Sequence, residues 1–88
     1  MPASSEATVA LPAEVALHAR PAGIFVRTAM TFAARITIEA GDKQADAKSI
    51  LAVLALGATG GSTVVLRAQG ADAGEALTRL AACLRNLA

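Results

Sequence analysis

The chain has 88 residues, 55% of them apolar, and eight basic against seven acidic side chains leave a formal net charge of +1. That length predicts one small domain over residues 1–88, and a near-neutral chain whose only aromatics are Phe25 and Phe32 has neither the basic patch nor the stacking rings of a nucleic-acid binder. One cysteine, Cys83, and one histidine, His18, exclude an intrachain disulfide and are poor material for a transition-metal cage, so no metal or cofactor is expected and a reducing, cytoplasmic setting fits.

The first ten residues, MPASSEATVA, have no basic region followed by an apolar core, so they do not read as a signal peptide. Residues 1–5 are expected to be flexible. Residues 7 to 11 alternate, with Ala7, Val9 and Leu11 on one side, and Pro12 closes this predicted strand. From Arg20 to Thr31 the period changes. Ala22, Phe25, Val26 and Ala29 form a helical stripe, and Pro21 suits the first turn. Residues 35–40 alternate again, with Ile36 and Ile38 inward, and Gly41-Asp42 turns into a weak strand over 43–47. Ser49 is a predicted N-cap for a short apolar helix that Gly57 stops. The apolar run Ile50–Leu56 is far too short to span a membrane.

A further strand follows over 63–69, with Val64, Leu66 and Ala68 inward. Asp72 and Glu75 form a variant capping box for the last helix, whose stripe holds Ala73, Ala76, Leu77, Leu80, Leu84 and Leu87. Cys83 lies near that stripe and reads as a buried structural thiol. Asp42 and Asp46 read as surface charges of the hairpin. The order β-α-β-β-α-β-α places helices on one face of an antiparallel sheet, an α+β sandwich.

The chemistry concentrates in Leu17-His18-Ala19-Arg20-Pro21-Ala22-Gly23. A helix N-terminus disfavours a positive imidazolium, so His18 is expected neutral and nucleophilic near neutral pH. The same N–H groups suit a phosphate. Arg20 adds a planar guanidinium that balances an added phosphoryl group. No general base for water is evident, so the set suits a phosphoryl carrier better than a hydrolase. The plainer reading has His18 as a cap beside a solvated arginine.

The hexapeptide from Leu17 to Ala22 resembles the active-site motif of HPr, the family of histidine-containing phosphocarriers in the bacterial sugar phosphotransferase system. Ala47-Lys48-Ser49-Ile50-Leu51, continuing to Leu56-Gly57, resembles the family's regulatory serine segment. The resemblance covers residues 6–88. It implies an open-faced β-sandwich, a four-stranded antiparallel sheet with three helices on one face. It also implies a carrier rather than an enzyme, a cytoplasmic monomer with no membrane insertion. His18 would take a phosphoryl group on Nδ1 from enzyme I and pass it to IIA components of sugar permeases, with Arg20 stabilising it and Pro21 shaping the helix entry. Ser49 would be the position an HPr kinase phosphorylates. Ile24, Arg27, Ile50 and Leu51 would border the docking patch.

Three departures from the family stand out. Ala16 replaces a common glycine, Gly23 stands where alanine is usual, and Met30 and Ala52 occupy positions where some relatives carry lysine. Two other readings fit the same residues: the carrier of a parallel nitrogen-related system, or a non-catalytic regulatory module acting through Ser49 and Leu51.

Overall fold

The computed structural model describes residues 4–14, 16–17 and 19–86. The elements run β1 (Ser4–Ala10), α1 (Ala19–Ala29), β2 (Arg35–Ala40), β3 (Lys43–Asp46), α2 (Ile50–Ala55), β4 (Thr63–Gln69) and α3 (Ala73–Arg85). The four strands form one antiparallel sheet in the order β1-β4-β2-β3, so the last strand of the chain lies in the middle.

Alternation builds the core. Val9 pairs with Val64, Ala7 and Ile38 both pair with Leu66, and Ile36 pairs with Ala68. Apart from the half-buried Ala7, these side chains are buried on the helix-bearing face. They meet Phe25 and Val26 of α1, Val53 of α2, and Leu77, Leu80 and Leu84 of α3. Burying such a side chain contributes about 1.5–3 kcal/mol, and a core rich in alanine lets helices approach the sheet closely. On the outer face Arg67 of β4 bridges its neighbours, with Nε 2.7 Å from Glu6 of β1 and Nη1 3.0 Å from Glu39 of β2. These paired charges leave that face to water.

Several expectations shift at the element ends. β1 starts at Ser4, so Ser4 and Ser5 sit opposite Gln69 and Ala68 instead of forming a loose lead. Leu11 lies beyond the strand, yet is buried, and its N–H donates to Ser62 O at 2.9 Å. α1 ends at Ala29, and the Thr31 hydroxyl donates to Thr28 O at 2.7 Å to close the last turn. Gly57, at φ +63°, stops α2 as expected.

Asp72 departs most from expectation. It precedes α3, but its carboxylate makes no cap there. It accepts from Ala33 N–H at 2.9 Å and Ala34 N–H at 2.8 Å, clamping the α1–β2 loop to the β4–α3 corner. Gly70 belongs to the same junction, since a Cβ there would lie 3.0 Å from Ala34 Cα at a backbone φ of +140°.

Candidate functional site

The loop leading to α1 is held by three backbone bonds to the loop between α2 and β4. Leu11 N–H donates to Ser62 O at 2.9 Å, Gly61 N–H to Pro12 O at 3.2 Å, and Leu17 N–H to Ala58 O at 2.9 Å. Leu17 itself is buried. A hydrogen-bonded platform therefore reaches to the residue before His18. His18 and Val15 lie outside the described residues. Ala16 is half-buried, and among the described residues no non-glycine takes a positive φ, so this position does not require glycine.

α1 begins directly after His18 with Ala19 and Arg20 exposed and Pro21 buried. Its first turn holds no acidic side chain. Its unpaired N–H groups and dipole favour a negative ligand, and Pro21 removes one N–H where no intrahelical acceptor exists. Arg20 and Pro21 border a shallow cavity of about 490 Å³ with Ile24, Cys83 and Asn86. Arg27 closes the other end of α1, in its last turn, where a cation complements the dipole.

Ser49 caps α2 as expected. Its backbone is extended (φ −112°, ψ 111°) and its Oγ accepts from Ala52 N–H at 3.3 Å. Asp46 sets up this turn. Its backbone carbonyl accepts from Ser49 N–H at 3.0 Å and its Oδ1 from Lys48 N–H at 2.9 Å, so it is more than a surface charge. Lys48 Nζ then donates to Phe32 O at 2.7 Å, tying the start of α2 to the segment after α1.

Of the α2 side chains Val53 alone is buried, so Ile50 and Leu54 are not full core residues. Leu51 is 78% exposed, Met30 63%, and Ile24 and Ile50 each 38%. The exposed large aliphatic groups among the described residues thus all belong to α1, the residue after it, or α2. Met30 escaped the sequence reading, which saw only a lost lysine.

Arg79 of α3 and its C-cap residue Asn86 were also missed. Arg79, Cys83 and Asn86 repeat at i, i+4 and i+7 beside the core stripe and face α1. That spacing alone marks a helix face but not what it opposes. Cys83 is half-buried rather than buried. Burial pushes its thiol pKa up, with a smaller opposing effect from the Thr28 hydroxyl, so its reactive thiolate is disfavoured. No group of three His, Cys, Asp or Glu side chains placed to hold a metal ion occurs among the described residues.

Residues 5–86, a span that includes His18, Arg20 and Ser49, match the family described as the PTS HPr component phosphorylation site. The chain belongs to the HPr family. It is 40% identical over 82 residues to the phosphocarrier protein HPr of Vibrio cholerae, covering 93% of this chain and 96% of that one. It is 44% identical over 82 residues to the multiphosphoryl transfer protein of Xanthomonas campestris pv. campestris, again over 93% of this chain but only 10% of that much longer protein. The crystal structure of HPr from Bacillus anthracis superposes with a TM-score of 0.89 at 38% identity, covering 94% of this chain and 99% of that chain. An HPr dimer from Thermoanaerobacter tengcongensis gives a TM-score of 0.68 at 45% identity over 73% of this chain and 74% of that one. The four-stranded sheet and three helices are the HPr architecture, and the phosphotransferase system is the setting of the family.

Proposed function

We propose that this protein is a cytoplasmic phosphocarrier that accepts a phosphoryl group on His18 from phospho-enzyme I and donates it to IIA components of sugar permeases. The observation that carries this reading is Arg20, exposed in an acid-free first turn of α1 and two residues after a histidine whose preceding residue is pinned to the α2–β4 loop. In the proposed step a lone pair on neutral His18 Nδ1 attacks the donor phosphorus. One P–N bond forms as the donor's P–N bond breaks, and the departing imidazole keeps the electron pair. The α1 N–H groups and Arg20 balance the charge on the phosphoryl oxygens.

Pro21 sets the helix entry, and Ile24, Arg27, Ile50 and Leu51 supply the surface on which donor and acceptor dock as transient partners of a monomer. Exposed aliphatic groups with a thin basic rim fit brief association. Ser49 is the proposed target of an HPr kinase. A phosphate there would add charge beside Leu51 and weaken docking.

The deciding experiment mixes the protein with phosphoenolpyruvate, magnesium and enzyme I and follows the label. Wild type gains an acid-labile, base-stable phosphate, and His18→Ala gains none. Equal labelling of both proteins, or no label on wild type, overturns the assignment. Incubation with HPr kinase and ATP tests Ser49 in the same way, with Ser49→Ala as the control.

A further inference from the structure

The near-neutral net charge conceals a segregated distribution. Glu6 and Glu39 are bound by Arg67 on the outer face of the sheet. Asp72 is occupied by the Ala33 and Ala34 amides, and Asp46 by the Lys48 amide. Glu14 lies in the β1–α1 loop and Asp42 in the β2–β3 turn. Glu75 is the acid closest in sequence to Arg79, one helical turn before it, and makes no ion pair with it. Among the described residues the ion pairs belong to Arg67 alone, so Arg20, Arg27 and Arg79 stand exposed with no Asp or Glu carboxylate of those residues within 4.0 Å.

These three arginines flank one furrow between α1 and α3. The cavity at its upper end, bordered by Arg20, Cys83 and Asn86, shares Ile24 with a second cavity of about 410 Å³. Arg27 of α1 and Arg79 of α3 both line this second cavity, together with Thr28, Thr31 and Phe32. The furrow thus carries three arginines and, where its two cavities meet, the aliphatic side chain of Ile24.

We propose that the α1–α3 furrow docks an acidic, extended segment of a protein partner. The segment carries two carboxylates on either side of an aliphatic residue. Arg20 and Arg27 are seven residues apart, a rise of about 10 Å along the helix. An extended peptide covers about 13 Å in four residues, with every second side chain on the same face. Glutamates at i and i+4 thus reach Arg20 at one end and the Arg27–Arg79 pair at the other, the long arginine side chains taking up the difference in length, while a leucine at i+2 covers Ile24. This surface adds α3 to the face formed by α1 and α2, so a partner poised at His18 extends its contact past Ile24 and Arg27 onto α3. The partner's identity rests on the phosphocarrier reading; the furrow and its charge do not.

The test is a salt-dependent NMR titration of the labelled protein with a blocked peptide carrying Glu-Ala-Leu-Ala-Glu, and with its Gln-Ala-Leu-Ala-Gln counterpart. The acidic peptide shifts the amides of Arg27, Thr28, Thr31 and Arg79, and the neutral one does not. Arg79→Glu weakens binding about three- to tenfold, Arg79→Lys restores it, and added salt weakens it in wild type. His18→Ala abolishes phosphoryl acceptance but leaves these shifts in place, so the two readings fail separately. The proposal is overturned if the shifts are confined to α2, if both peptides act equally, or if Arg79→Glu binds like wild type. It is equally overturned if the furrow amides shift only with protein concentration, which would assign the face to a second copy of this chain.

Discussion

Gly23 sits in the interior of α1, a half-buried position with a helical backbone, and nothing lies within 4 Å of where a Cβ would be. Glycine there costs helix stability without serving a turn or a close contact. Gly23→Ala is expected to stabilise the protein by about 0.5–1 kcal/mol, raising Tm by several degrees in a thermal melt. A fall in Tm would show that the glycine has a role in α1 that the static contacts do not reveal. Asp72 offers the opposite case. Its pKa is held below the ordinary value of 3.8, chiefly by the Ala33 amide; burial opposes this, and the Ala34 amide, its own amide and Lys48 add smaller lowering effects. A lowered folded-state pKa means the ionised form is favoured by folding. That stabilisation is present above the ordinary value and is lost as pH falls through the folded one. Asp72→Asn keeps one acceptor oxygen and sets an NH2 against the other amide. Its Tm is therefore expected to lie below wild type at neutral pH, with the gap narrowing in strong acid as wild-type Asp72 protonates. A gap independent of pH would mean the carboxylate's charge is irrelevant to the clamp.

At the scale of elements, α2 depends on its entry. Six residues are too few for a self-sustaining helix. Ser49 Oγ on Ala52 N–H and the Asp46 carboxylate on Lys48 N–H organise its start. Ser49→Ala is expected to cost about 1 kcal/mol, read as a lower denaturation midpoint and faster amide exchange at Ala52 and Val53. Unchanged exchange would place the stability of α2 entirely in the Val53 anchor. This cap was legible in the sequence because it is local, three residues from donor to acceptor. So was the α1 stripe, where Ala22, Phe25, Val26 and Ala29 are all buried. The Asp72 clamp was not, because its partners are 38 and 39 residues away and a local capping pattern competes for the same aspartate. Alternation marked the inward residues of β4, but no pattern of single strands says that β4 lies between β1 and β2. The same limit hid the α3 side of the candidate site. Arg20 and Arg27 could be picked out on their own helix, whereas Arg79 gains significance only once α3 is seen against α1.

For the whole molecule, the question is which apolar side chains hold the fold and which are left for partners. Leu80 and Leu51 have the same chemistry and opposite placement: Leu80 is 0% exposed beneath the sheet, and Leu51 is 78% exposed on α2. Leu80→Ala removes packed atoms from a core with few large residues and is expected to cost about 2–5 kcal/mol. A domain of this size has a total stability of about 5–15 kcal/mol, so the variant should melt far below wild type or be partly unfolded at 37 °C. Leu51→Asp exposes nothing new and buries no charge, so its Tm should stay close to wild type, within about 0.5 kcal/mol of stability. Its effect should instead fall on association, as slower labelling by phospho-enzyme I at limiting concentration that excess enzyme restores. A charge on a docking surface weakens encounter without altering the group that reacts. If Leu51→Asp destabilised the fold as Leu80→Ala does, Leu51 would belong to the core in solution. If it neither unfolded nor slowed labelling, the exposed face of α2 would have no part in docking, and contact would have to run through α1 and its furrow with α3.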